Sequence, residues 1–297
     1  MALTLDQLLI IKTAAECGSF SAAARRLGKA QSTVSSTICN IEREAGVVLF
    51  ERGSKFLALT SVGQDLLKHI NNIISQANNL EGKLNACAAE IEDNLSIIID
   101  PAIPYTLVAP TVRAFCEQFP YVNLHIESMN LNDALTSLHN GRVKLALLIT
   151  LPNYPTDIGF CRLGTLQIAE VAHIHHPLSQ LSSISFADLS NYRQLVFSPH
   201  GDNLITSEYL RSSQRIYIDN YTTLIQMTLA GFGWSILPRP IVNDYVARGQ
   251  MVELPLESYP YTKWEVGVDL LWNVRAQLGP AAVWLKEIFS TQFFHTK

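Results

Sequence analysis

Between residues 30 and 37 the chain gathers Gln31, Ser32, Thr33, Ser35, Ser36 and Thr37. An amide and short hydroxyls donate and accept hydrogen bonds at short reach, which suits base edges and phosphate oxygens. The same stretch carries Val34, Ile38, Ile41 and Ala45 at spacings of 4, 3 and 4, so its other face is apolar. A solvated helix face normally uses Glu and Lys, so this hydroxyl face reads as a contact surface for nucleic acid. Ser21 and Lys29 precede it, and Arg52 and Lys55 follow it, cations of the kind that hold phosphates and fix the register of a reading helix.

Such side chains need a scaffold. Thr4 with Gln7 three residues on is a capping box, opening a helix that Gly18 stops. Ser21 reads as the cap of a short Ala-rich helix over 22–27, which Gly28 ends, and a third helix follows over 31–45. Two helices joined by a tight glycine turn form a helix-turn-helix, whose second helix presents free N–H groups and a positive dipole at its start. Residues 46–60 alternate around Gly53 and Ser54 and read as a β-hairpin wing.

The segment GSFSAAARRLGKAQSTVSSTICNIEREAGVVLFER, with LALTSVG after it, resembles the winged helix-turn-helix of LysR-type transcriptional regulators, and the similarity continues to the C-terminus. Two departures bear on DNA preference. Ala30 stands where many members place a capping Ser, so the reading helix loses about 1 kcal/mol of capping unless Ser32 compensates. Ser36 stands where many carry Arg. The resemblance implies a homodimer assembling to a homotetramer, an operator with inverted-repeat half-sites in double-stranded DNA, contact with RNA polymerase and a small-molecule effector.

After the wing, Thr60 caps a helix running to about residue 89. Leu66, Ile70, Ile73, Ala77, Leu80, Leu84, Cys87 and Ile91 alternate in steps of four and three, a coiled-coil seam for pairing two chains. Such a helix spans roughly 45 Å. The family uses it for dimerisation. Residues 90–94 read as a polar hinge.

From residue 95 strands alternate with helices. Strands are expected at 95–100, 122–128, 144–150, 168–174, 194–198, 215–219 and 234–238, and helices at 104–119, 132–140 and 221–231, which implies parallel sheets covered by helices. The fold class is therefore a mainly α N-terminal winged helix-turn-helix with a long linker helix, followed by an α/β effector domain. The family's effector domain has two lobes of periplasmic-binding-protein type. Domain limits follow as 1–60, 61–92 and 93–297, with lobe I at 95–164 and 264–297 and lobe II at 165–263.

Ligands of open α/β sheets lie beyond the C-terminal ends of the strands. Those ends supply Asp100, Pro101, Ala102, Ile103, Met129, Asn130, Thr150, Ser198, Pro199, His200, Tyr221 and Thr222 as effector contacts. Many family members hold a carboxylate with Ser or Thr after the first strand. Asp100 stands there instead, and its charge favours a neutral or cationic effector held by Asn130, Thr150, His200 and Thr222. The alternative is that Asp100 faces away and caps the following helix.

Composition bounds the rest. The 297 residues carry a net charge of −4, yet residues 1–60 hold seven Lys/Arg against five Asp/Glu. A mildly basic head on an acidic body suits a DNA-binding module attached to a sensor. Five dispersed cysteines without a metal spacing suit reduced thiols in the cytoplasm, and the chain shows neither a signal peptide nor a membrane span. His173, His175 and His176, followed by Pro177, read as a strand end and turn rather than metal ligands. No nucleophile motif, phosphate loop or HExxH occurs, so neither an enzyme nor a cofactor is expected. Two other readings stay open: a cytoplasmic small-molecule-binding protein of periplasmic-binding-protein type, and a redox-sensing regulator using Cys116 and Cys161.

Overall fold

A computed structural model describes residues 2–51, 57–129, 131–151, 153–197, 212–257, 264–291 and 294–295. The chain divides into two compact units, Met1–Ala89 and Glu90–Lys297.

In the first unit α1 (Leu5–Cys17) begins with the Thr4/Gln7 capping box. The next helix, α2 (Phe20–Leu27), starts earlier than expected. Ser19, with an extended backbone, is the cap and accepts from the Ala22 N–H at 3.3 Å. Ser21 is instead inside the first turn, its hydroxyl accepting from Arg25 Nη1. The shift places Phe20 in the helix, where its ring meets Phe50 edge-on at 5.7 Å. Gly28, at φ 65°, makes the left-handed turn into α3 (Gln31–Ala45), a conformation that costs a residue with a Cβ about 1 kcal/mol or more. Val34, Ile38 and Ile41 pack with Leu8, Ile10, Ile11, Ala14, Ala23 and Ala24 in one core.

The wing is held to α3 by a buried carboxylate. Glu42 accepts from the N–H groups of Leu49 (2.8 Å) and Phe50 (3.1 Å), at the start of β1 (Phe50–Glu51). This strand pairs antiparallel with β2 (Ala58–Leu59). Thr60 then caps α4 (Ser61–Ala88), accepting from the Gly63 N–H. Two expected seam positions need correction. Ile70, with Ile74, is buried in the core that α1 and α3 build, so it serves this unit internally. Ile91 lies beyond the end of α4 and packs against the core of the second unit. Leu66, Ile73, Leu80 and Leu84 are exposed.

The second unit starts with β3 (Asn94–Ile99), α5 (Tyr105–Gln118), β4 (Asn123–Glu127), α6 (Leu131–His139) and β5 (Leu145–Ile149). Strands β3, β4 and β5 are parallel. Leu95 and Ile97 face α5, whereas Ile98 faces α6, the alternation that a sheet covered on both sides requires. Next comes β6 (Ile158–His173), twice the length expected, because its first half also pairs with a strand unseen in the sequence. After it come α7 (Phe186–Ser190), β7 (Gln194–Phe197), β8 (Arg215–Ile218), α8 (Tyr221–Leu229), β9 (Trp234–Pro238), α9 (Arg239–Ala247) and β10 (Met251–Glu253). The unforeseen strand is β11 (Trp264–Asn273), followed by α10 (Pro280–Thr291) and β12 (Phe294–His295).

The main path of the sheet runs β4-β3-β5-β11-β6-β9-β7-β8. The expectation of parallel sheets therefore holds for β4-β3-β5 and for β9-β7-β8. An antiparallel pair, β11 with β6, stands between these triplets, and β6 joins β9 antiparallel as well. Glu92 ties the domain's entry to its exit helix by accepting from the Ala281 and Ala282 N–H groups at the start of α10.

On β6, beside the second triplet, Glu170 is 5% exposed, and its Oε1 has no hydrogen-bond partner among the described residues. Beside it Arg239 donates to Glu253 at 2.8 Å. Burial, with the Glu253 charge adding to it and Arg239 opposing it, pushes the Glu170 carboxyl up to about 7. A carboxyl with a raised folded pKa is destabilising once ionised, so stability falls as pH rises from about 4.5 through about 7. Glu170→Gln should raise the stability of this unit at pH 8, by about 3 kcal/mol, and change it little at pH 5. Thermal unfolding at the two pH values checks the difference.

Candidate functional site

Two surfaces deserve description, one in each unit. On α3 the residues Gln31, Ser32, Thr33 and Ser36 are exposed while Val34 and Ile38 are wholly buried. Ser35 and Thr37 are half-buried. Ser36 donates to the Thr33 carbonyl at 3.1 Å, so its hydroxyl is partly committed within the helix. Ala30 makes no side-chain cap, and Ser32 does not replace it. The first turn thus presents backbone N–H groups and a positive dipole with no side chain of its own across them, the arrangement that accepts a phosphate.

Lys29 is paired with Asp6 at 3.0 Å. A partly exposed pair of this kind is worth no more than about 1 kcal/mol, so the ammonium is exchangeable to another anion. Arg52 and Lys55 lie outside the described residues. Arg25, Arg26 and Arg43 are also exposed on this unit; Arg26 pairs with Glu16 and Arg43 with Asn40. Nothing in their spacing marked them, since Arg in a last helical turn also serves the dipole.

In the second unit the strand-end residues have mixed fates. Asn130, Ser198, Pro199 and His200 lie outside the described residues. Asp100 is buried, and its Oδ1 accepts from the Ala102 N–H at 2.8 Å. It closes its own turn, and α5 begins after Pro104 without a side-chain cap, so Asp100 does not cap that helix. Ala102 and Ile103 are correspondingly corrected: both side chains are buried, and their N–H groups are taken by Asp100. Pro101 is half-buried. Met129 is half-buried, its sulfur accepting from Ser137 and Arg142. Thr222 is exposed at the start of α8, and Tyr221 stacks on Phe197 at 4.2 Å. Burial, and then the Asp100 charge, hold the Tyr221 phenol well above its ordinary range.

Thr150, at the end of β5, has a half-buried side chain whose Oγ1 is buried and without a partner among the described residues. Its neighbours were invisible in the sequence. Asp269 on β11 is fully buried and accepts from Arg162 Nε on β6 and from the Tyr154 hydroxyl at 2.6 Å. Burial, then the bond to Asp269, hold the Tyr154 phenol far above its usual range, so it stays the donor. Arg162 is half exposed. Gly267 makes room for it: a Cβ there would sit 2.3 Å from Thr150 Oγ1 and 2.8 Å from Arg162 Cζ. No signal in the sequence joins residues 154, 162 and 269: the β6/β11 register sets Arg162 beside Asp269, and the segment between β5 and β6 brings Tyr154 to it.

Cys116 is an exposed free thiol and Cys161 a half-buried one, and they form no disulfide. His176 is buried and accepts from the Leu178 N–H, capping a turn, while His173 accepts from the His175 N–H. Among the described residues no group of His, Cys, Asp and Glu could hold a metal, and no helix is long and apolar enough to cross a membrane.

A model of the bacterial regulatory helix-turn-helix protein, lysR family, matches residues 5–64, and one of the LysR substrate binding domain matches residues 88–293. The HTH-type transcriptional regulator AceR of Acinetobacter baumannii is 29% identical over 286 residues, covering 96% of each chain. Full-length OxyR from Pseudomonas aeruginosa shares the fold at a TM-score of 0.53 and 21% identity, covering 97% of this chain and 99% of that one. CbnR complexed with its target DNA superposes at 0.50 and 21% identity, covering 96% and 98%.

The exposed amide on α3 generates a direct expectation. Gln31→Ala should weaken binding to the preferred site by about 1–3 kcal/mol, since an amide pairs bidentately with adenine. Binding to random duplex should be nearly unchanged. Fluorescence anisotropy on both duplexes measures the split, and equal losses would show that Gln31 reads no base.

Proposed function

The chain belongs to the LysR-type transcriptional regulators, DNA-binding proteins with an effector-binding domain, and we propose that it works as a homodimer whose two α3 helices read half-sites of an inverted repeat. The observation that carries this reading is the split of α3: Val34, Ile38 and Ile41 buried, Gln31, Ser32 and Thr33 exposed at an uncapped N-terminus. Ser21, Lys29, Ser35, Ser36, Arg52 and Lys55 complete the proposed DNA contacts. Residues 1–60 serve as the DNA-binding domain, 61–92 as the linker and 93–297 as the effector domain. Lobe I is 95–164 with 264–297, and lobe II is 165–263.

The effector is proposed to bind beyond the strand ends, near Asp100, Pro101, Met129, Asn130, Thr150, Ser198, Pro199, His200, Tyr221 and Thr222. The buried Thr150 hydroxyl without a partner among the described residues, at the end of β5, supports this reading. The protein is proposed to act in the cytoplasm, on promoters where it meets RNA polymerase, with no catalytic step of its own. Pairing is assigned to Leu66, Ile73, Ala77, Leu80 and Leu84 on α4. Leu80 and Leu84, each 61% exposed, support the assignment, since water-exposed leucines in register favour a partner surface. Dimers are proposed to join into a tetramer through the effector domains. Exposed Ile126 on edge strand β4 and Tyr217 on edge strand β8 suit that contact.

Because Leu80 is 61% exposed and belongs to no core among the described residues, Leu80→Asp tests pairing without attacking the fold. A charge placed in the seam should split the dimer and abolish operator binding, with the thermal transition of the effector domain unchanged. Sedimentation velocity and anisotropy read both effects. A variant that stays dimeric, or a wild type that is monomeric at micromolar concentration, contradicts the assignment.

A further inference from the structure

We propose that Arg162 is the anion anchor of the effector cleft and takes the carboxylate of a small monocarboxylic effector with an apolar body. The inference rests on the effector-cleft reading above and gives that site a ligand class.

Four observations carry it. Arg162 donates through Nε to Asp269, a carboxylate with no exposure that also holds the Tyr154 hydroxyl. A wholly buried carboxylate is costly unless paired, and this pair fixes the guanidinium while leaving its Nη edge uncommitted among the described residues. Half of the Arg162 side chain remains exposed, so that edge is reachable. A free Nη edge offers two parallel N–H donors, the geometry that matches a carboxylate.

The second observation is Thr150. Its Oγ1 is enclosed beside the guanidinium and has no hydrogen-bond partner among the described residues, although a buried hydroxyl ordinarily finds one. A carboxylate seated on the Nη edge would bring an acceptor to this hydroxyl. Gly267 is the third observation. Both groups lie against its Cα, in the space a Cβ would fill. Fourth, Tyr154 and Phe160 stack at 4.9 Å, and Phe160, 55% exposed, is two residues before Arg162 on the same strand. Alternate residues of a strand share a face, so an apolar surface flanks the anchor.

The charge balance selects a monoanion. With its Nε side already neutralised by Asp269, the guanidinium has a single edge to offer, which matches one carboxylate. The expectation of a neutral or cationic effector rested on Asp100 alone. Arg162, which the sequence did not bring to the site, supplies the opposite charge.

The test uses the full-length protein in thermal-shift and calorimetric titrations with acetate, butanoate and benzoate, their amides, and the matching primary amines. The proteins compared are the wild type, Arg162→Lys, Arg162→Gln, the double variant Arg162→Gln/Asp269→Asn and Thr222→Trp. The double variant leaves no unpaired buried charge, so it stays folded if the single variant fails. The expected result is that butanoate or benzoate binds the wild type and amides and amines do not. Affinity should fall on the order of 30-fold in the double variant, with part retained in Arg162→Lys and loss in Thr222→Trp. Amides or amines that bind, are blocked by Thr222→Trp and ignore the double variant would overturn the anchor and keep the cleft. Binding that survives Thr222→Trp, or no binding by any of these compounds at millimolar concentration, would overturn both.

Discussion

The antiparallel pairing of β6 with β11 is the constraint on which the effector domain depends. Ten registered pairs join the two strands, and every other strand of the sheet reaches this ladder directly or through one or two intervening strands. On one side β5 pairs with β11; on the other β9 and β10 pair with β6. The ladder slips once, between Val268 and Asp269. A slip of this kind turns side chains locally, and bulges are frequent beside functional sites. Here it lies next to the row formed by Thr150, Gly267, Asp269 and Arg162. The strand pair that links the two parallel triplets therefore also carries the polar groups assigned to the proposed effector site.

The DNA-binding unit obeys a different economy. Its core is small, so one side chain often serves two ends. Phe20 belongs to α2 and meets the wing through Phe50. Glu42 belongs to α3, yet its carboxylate satisfies the N–H groups of Leu49 and Phe50 at the start of the wing. Charge-assisted bonds of this kind are about twice as strong as neutral ones, and being buried they are screened little by salt. The reading helix and the wing are thereby held as one body, as a surface that must match both base edges and backbone needs. The missing cap at Ala30 fits the same logic, because a helix start left open in the free protein is open for a phosphate.

Much of this was legible in the amino-acid order where the interactions are local. The Thr4/Gln7 box, the 4-3-4 spacing of Val34, Ile38 and Ile41, and the Thr60 cap each depend on residues within a turn or two. Ser21 was misplaced as a cap because Ser19 is equally competent, and only the Phe20–Phe50 contact separates them. Ile70 fitted a perfect seam, but heptad spacing cannot tell which side of a helix its own chain already covers. In the effector domain the parallel strands announced themselves as apolar runs. β11 did not, since WEVGVDLLWN mixes Glu, Gly and Asp into a buried strand for reasons that lie on its neighbours. Arg162 and Asp269 stand 107 residues apart, and only the fold makes them a pair.

The account stands on α3 reading DNA in sequence. The most direct measurement is the affinity of the full-length protein for the duplex upstream of its own coding sequence and for a random duplex of equal length, each across a salt series. The account predicts preference for the upstream duplex by ~10³-fold or more, with both affinities falling linearly in log salt as phosphate contacts release counterions. Equal affinity for the two duplexes at every salt concentration would contradict it.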